Sequence, residues 1–166
     1  MKNKIITKDE VVNLVFNRNV DGNILKPSMV DLAQFKYLQK YLGDLYNDIL
    51  DSEDDDYNDF VEDYVKPVIA WAVLYENFDY ISLNITDKGI LQMVVEGTAN
   101  LIGRDSRYDF KMELRRNLFT LIQLMQNEVL KEKNNNNDLY KNYNSKFKPS
   151  MIHFVEGNQR YNIRPY

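Results

Sequence analysis

The 166-residue chain contains no cysteine and one histidine, His153. The first absence excludes disulfides, thiolate metal sites, iron–sulfur clusters and thiol nucleophiles. The second excludes any site built on two imidazoles, such as the helical histidine pair of a metalloprotease. No Gly-x-Ser-x-Gly turn and no phosphate-cradling glycine loop occurs, so catalysis lacks a nucleophile–base pair. The opening, Met1-Lys2-Asn3-Lys4-Ile5-Ile6-Thr7, has no apolar run long enough for a signal peptide. The most apolar stretch, Val65 to Leu74, is broken by Lys66 and Pro67 and is far short of a bilayer span. The expectation is a soluble protein made in a cytoplasm, with no membrane partner, no cofactor, no metal and no catalytic residue.

What is present fits one domain, which at this length buries roughly 70% of the surface its unfolded chain exposes. Lys and Arg number 21 against 25 Asp and Glu, a net charge of −4, so the chain as a whole is no nucleic-acid sponge. Aromatic residues make up 13%, and 12 of them are tyrosines. Tyrosine serves interfaces as well as cores, because its ring buries area while its hydroxyl stays bonded.

Thr7-Lys8-Asp9-Glu10 is a capping box that opens a short helix carrying Val11, Val12, Leu14, Val15 and Phe16. Asn19, Asp21, Gly22 and Asn23 make a turn-rich connection. A second helix opens at Pro27-Ser28. Leu38, Leu42, Leu45 and Ile49 then mark one helical face, with Gly43 predicting a kink or a break. Tyr57, Val61, Tyr64, Val68, Trp71 and Tyr75 keep helical spacing around Pro67, where the helix either kinks or begins afresh. The period then changes. Ile81, Leu83 and Ile85 alternate with polar residues as a strand does, Asp87-Lys88-Gly89 makes a turn, and Ile90 to Val95 would return. A long helix from about Ser106 carries Phe110, Leu114, Leu118, Leu121, Met125 and Val129. Between Leu118 and Met125 only Thr120 and Gln123 are polar, so this part is expected to be buried on more than one side.

Lys131-Glu132-Lys133 and the run Asn134 to Asn137 end the regular pattern. From Asp138 onward five basic residues face two acidic ones, interleaved with aromatic rings. Met151 to Val155 and Arg160 to Ile163 would form a second hairpin, in a segment that reads as an arm ordering against something else. The fold class expected is therefore mainly α: a helical bundle with one long C-terminal helix, a small β-hairpin insertion and an extended C-terminal arm. The domain boundary is placed between 133 and 134.

The candidate chemical sites are weak. Asp51, Glu53, Asp55, Tyr57, Asp59 and Glu62 fall at positions 1, 3, 5, 7, 9 and 12 of a calcium loop. Position six, however, is Asp56 where the sharp turn demands glycine, and position eight is Asn58. A solvated loop and an acidic helix start is the better reading. The same carboxylates lie in one surface-like run, unsuited to fixing a metal pair. His153, between Ile152 and Phe154, reads as a packed or solvent-facing side chain. Trp71 and the nearby tyrosines read as core. The basic–aromatic tail suits protein docking better than nucleic acid, because its net charge is modest.

Ile24 to Leu50, with Ala33-Gln34 early and Leu42-Gly43-Asp44-Leu45-Tyr46 later, is followed by Tyr64-Val65-Lys66-Pro67-Val68-Ile69-Ala70-Trp71 and Ile85-Thr86-Asp87-Lys88-Gly89-Ile90. This succession resembles the head-to-tail adaptor (connector or ring) proteins of tailed bacteriophages, most of all those of crAss-like phages and Bacteroidetes prophages. The resemblance covers about Ile5 to Lys133 and has no catalytic motif. It implies a structural virion protein without enzymatic activity, assembled in the host cytoplasm as a homo-oligomer, usually a dodecameric ring. The ring would sit between the portal protein and further neck or tail rings, around a channel that carries double-stranded DNA. Such assembly is heterologous, one face of a subunit meeting a different face of the next. A mild acidic balance suits a channel wall that repels phosphates.

The interface residues expected on this reading are Asp87, Lys88 and Gly89 of the hairpin, with Lys146, Phe147, Lys148, Phe154, Arg160, Tyr161 and Arg164 of the arm. Two rivals remain: a soluble helical protein-binding or regulatory module, and a carboxylate-dependent metal enzyme using the Asp51–Glu62 run.

Overall fold

The computed structural model describes residues 4–16, 25–52, 55–85 and 104–148. Helices account for most of them: α1 Lys8–Val15, α2 Pro27–Gln34, α3 Lys40–Leu42, α4 Leu45–Asp51, α5 Asn58–Phe60, α6 Lys66–Glu76, α7 Phe78–Ile85 and α8 Arg104–Asn134. Five-residue π-helical stretches, Phe35–Gln39 and Val61–Val65, join α2 to α3 and α5 to α6. No strand occurs among the described residues, and an isolated antiparallel bridge pairs Gly43 with Tyr143.

Local sequence explains the helix starts. The Thr7 hydroxyl accepts from the Glu10 amide while the Glu10 carboxylate accepts from the Thr7 amide, a closed capping box. Proline sits in the first turn of α2 and of α6, where its missing N–H costs nothing. Of the two expectations for Pro67 the fresh start holds: α6 begins at Lys66 with Pro67 in its first turn, directly after the π-helical stretch.

The core is organised around α6. Val68, Ile69, Ala70, Ala72 and Val73 are all buried, which leaves α6 apolar on nearly every side. It touches α1, α2, α7 and α8. From α8 the row Leu118, Ile122, Met125 and Val129 joins the same core cluster, and Leu114, a turn earlier, is also buried. Each fully buried Leu, Ile, Val or Met side chain contributes on the order of 1.5–3 kcal/mol by leaving water. The spacing predicts Leu121 rather than Ile122 in this row; Ile122 is fully buried and Leu121 half-buried.

The expected hairpin is corrected. Ile81 to Ile85 belong to helix α7 and not to a strand. Asn77 closes α6 through its amide and side chain, both donating to the Val73 carbonyl, and its own carbonyl accepts the Ile81 amide. The chain therefore turns from one helix directly into the next. Phe78 packs on Phe110 with ring centroids 5.2 Å apart, Lys111 pairs with Asp79, and Ile81 is buried. Phe78 and Ile81 share a face only at helical spacing, so tertiary packing overrides the local alternation. Asp87, Lys88, Gly89 and the returning segment Ile90 to Val95 lie outside the described residues.

Candidate interaction surface

Beyond α8 the chain does not leave the body at once. Asn136 adopts φ 60°, the left-handed conformation that ends helices. The Asn137 amide donates to the Glu132 carbonyl, and its side chain bonds both the Glu132 carboxylate and the Leu139 amide. The asparagine run is thus the C-terminal cap of α8. It starts a strap, residues 138–148, that runs back over the break between α3 and α4.

Three sets of contacts hold the strap. At its start Tyr140 is buried edge-on against Tyr57 and Phe60, at 5.9 and 5.5 Å between centroids, and the Tyr57 hydroxyl donates to the Leu139 carbonyl at 2.7 Å. Burial, with Glu132 and Tyr57 nearby, pushes the Tyr140 hydroxyl up to about 12. In the middle, Lys133 Nζ donates to the carbonyls of Lys141 and Tyr143 at 3.1 and 2.7 Å. At the far end, the strap completes two helix termini. Ser145 Oγ donates to the Lys40 carbonyl at 2.8 Å. The Gln126 side chain donates to the Tyr41 carbonyl at 2.9 Å and to the Phe147 carbonyl at 2.8 Å. The Lys40 and Tyr41 carbonyls are ones that the end of α3 leaves without helical partners. Asn144 Oδ1 in turn accepts the Asp44 amide at 3.0 Å, an N–H left open at the start of α4. Gly43 lies between the two ends.

The exposed surface carries two features. The first is a pair of uncharged stripes. Ser28, Leu32, Phe35 and Gln39 recur at helical spacing and are all exposed, Leu32 by 64% and Phe35 by 59%. Thr120, Gln123, Leu124, Asn127 and Leu130 form the other on α8, with Leu124 half exposed. No charged residue falls between Arg116 and Glu128. The α8 segment expected to be buried on several sides therefore leaves one face open. The helices bearing the two stripes both pack on α6 through their other sides.

The second feature is a cationic edge. Lys40 Nζ lies 5.2 Å from the Tyr41 ring centroid and 5.2 Å from that of Phe147, which is 56% exposed. Lys146 and Lys148, also exposed, flank Phe147. The structure thus brings Lys146, Phe147 and Lys148 together with Lys40, a residue the sequence reading left out. Phe154, Arg160, Tyr161 and Arg164, as well as His153, lie outside the described residues. Tyr140 and Tyr143, beyond the boundary placed after Lys133, join the same core cluster as α6 and α8.

Among the described residues no group of three or more His, Asp or Glu side chains is placed to hold a metal ion. Of the calcium-loop positions, Glu53 lies outside the described residues, while Tyr57, Asp59 and Glu62 lie in successive short helical segments, Asp55–Tyr57, Asn58–Phe60 and Val61–Val65. Among the described residues no helix is long and apolar enough to cross a membrane.

Residues 25–150 match a protein family described as a family of unknown function, DUF6712. The chain belongs to this family. The DUF6712 match starts just before α2 and ends just past Lys148, so the strap lies inside the family's span and residues 4–16 lie outside it. No curated protein matches the chain, and no solved structure does.

Proposed function

We propose that this DUF6712 protein is a structural subunit of a tailed-phage virion, a head-to-tail adaptor that forms a neck ring between portal and tail around the path of the genome. The observation that carries the reading is the pair of uncharged, exposed stripes, Ser28–Leu32–Phe35–Gln39 and Thr120–Gln123–Leu124–Asn127–Leu130. A closed ring needs two different faces on each subunit, each meeting the other on a neighbour. Depletion of charge with retained apolar side chains is the composition of the buried centre of such contacts. The order of helices, ending in one long helix, and the resemblance of Ile24–Leu50 and Tyr64–Trp71 to phage adaptors support the same assignment.

The work of such a subunit is fit rather than chemistry. Its partners are further copies of itself, the portal and adjacent neck or tail rings, with DNA passing by without sequence-specific contact. Mass spectrometry of purified virions tests the assignment, with electron microscopy of isolated necks. The chain is expected among the virion proteins, in a fixed ratio to portal. Its absence from virions would overturn the proposal, and a soluble helical regulator would take its place.

A further inference from the structure

The strap runs between two surfaces of opposite sign. Its start packs on Tyr57 and Phe60, around which Asp56, Asp59 and Asp63 are exposed. Asp48 accepts a hydrogen bond from the Asn142 side chain at 2.9 Å, which places that carboxylate against the strap. No lysine or arginine occurs between Tyr41 and Val65. The strap's end carries Lys146 and Lys148 on either side of exposed Phe147, with Lys40 against that ring. Among the described residues, Lys40, Lys146, Lys148, Asp56, Asp59 and Asp63 make no ion pair within the chain. Each edge therefore displays charge that contacts among the described residues do not neutralise.

From this polarity we infer that the Lys40–Lys146–Phe147–Lys148 edge of one copy docks on the Asp56–Asp59–Asp63 edge of the next. The occupant is a second copy of this chain, because the complementary charge is carried by the chain itself. Because the two edges differ, the contact is heterologous and repeats in one direction, as a ring requires. Phe147 supplies the apolar anchor at the centre of a polar rim, and the charges fix register and direction. The inference deepens the ring reading and rests on it for the closure of the contact into a ring.

Charge exchange tests it. One variant of the full chain carries Lys146→Glu and Lys148→Glu, and another carries Asp59→Lys and Asp63→Lys; circular dichroism establishes that each keeps the helical content of the native chain. Sedimentation velocity, run over a range of concentrations at low and high salt, is expected to show native self-association that weakens as salt rises. Each variant alone should associate on the order of tenfold more weakly or worse, since like charges then face each other. An equimolar mixture of the two should associate again, because each reversed edge now meets a reversed partner.

Three outcomes overturn the inference: no self-association of the native chain, association indifferent to both reversals, or a mixture that fails to recover. If the Lys146→Glu/Lys148→Glu variant loses binding to a duplex DNA fragment while self-association is unchanged, the cationic edge is a nucleic-acid surface instead. Recovery in the mixture, for a chain absent from virions, would keep this contact and discard the ring reading. Presence in virion necks with association indifferent to the reversals would do the opposite.

Discussion

At Gly43 the backbone stands at φ 64° and ψ −134°, a region that residues with a Cβ avoid. A Cβ added there would meet Asn144 Oδ1 at 2.0 Å and the Ser145 amide nitrogen at 3.1 Å. Conformation and space thus both demand glycine. Gly43→Ala should cost about 2–3 kcal/mol, visible as a fall in Tm of roughly 5–10 °C; a loss below about 0.5 kcal/mol would mean that the strap is not seated on α3 and α4 as described. Glu10 gives a prediction in pH. Partial burial pushes its carboxyl up, but hydrogen bonds from Lys66 and Thr7 outweigh this and hold it at about 2, against an ordinary 4.5. Because the folded-state value is the lower one, the stabilisation is complete above about pH 4.5 and drains away as pH falls toward 2. The Glu10 side chain is 39% exposed, so solvent screening reduces the contribution to about 0.5–1 kcal/mol. Denaturant melts should show the native chain more stable than Glu10→Gln by that amount at pH 6. The gap should close by pH 2, and a gap that widens in acid would contradict the Lys66 pairing.

Among the elements, the strap is where sequence and structure part most. The capping box, the proline starts of α2 and α6, the break at Gly43 and the span of α8 are all legible in the sequence, because each depends on residues within a few positions of one another. Asn134–Asn137 is not, since only the left-handed turn at Asn136 and the bonds of Asn137 distinguish a helix cap from a polar spacer. Gln126 is likewise hidden. A glutamine on a helix is ordinary, and its role as a clasp exists only because Tyr41 and Phe147, 85 and 21 positions away, converge on it. The helix at Ile81–Ile85 fails to show for a related reason, since Phe110 and Lys111 select it from a distant segment. From sequence, deletion after Lys133 leaves a folded domain; the structure predicts otherwise. Removing the strap strips the partner from Tyr57 and Phe60 and leaves the Tyr41 and Lys40 carbonyls without Gln126's second anchor or Ser145. A chain ending at Lys133 should therefore melt at least 10 °C lower than one ending at Lys148, or fail to accumulate folded. Equal melting of the two would show the strap to be dispensable. Gln126→Ala, which keeps the strap but removes its clasp, should cost a more modest ~1–3 kcal/mol in the same assay.

For the molecule as a whole, one contiguous core joins α1, α2, α6, α8 and the strap. Nothing in the described packing separates a helical body from an independent strap. Lys66, mostly buried, extends the coupling by pairing with Glu10 of α1 and with Glu62. A proposed ring subunit gains from such coupling, because the strap that presents the cationic edge is then held as rigidly as the core itself. This makes a prediction about cooperativity. Trp71, half-buried on α6, reports the body, and the near-ultraviolet signal of tyrosines such as Tyr140 and Tyr143 reports the strap junction. In urea, Trp71 fluorescence, tyrosine near-ultraviolet dichroism and helical dichroism should follow one transition with a common midpoint, as a small two-state domain does. A tyrosine transition at distinctly lower urea would mean that the strap peels away before the body unfolds. The surface carrying Lys146, Phe147 and Lys148 would then form only on contact with a neighbour, and the Gly43→Ala substitution would shift that early transition alone.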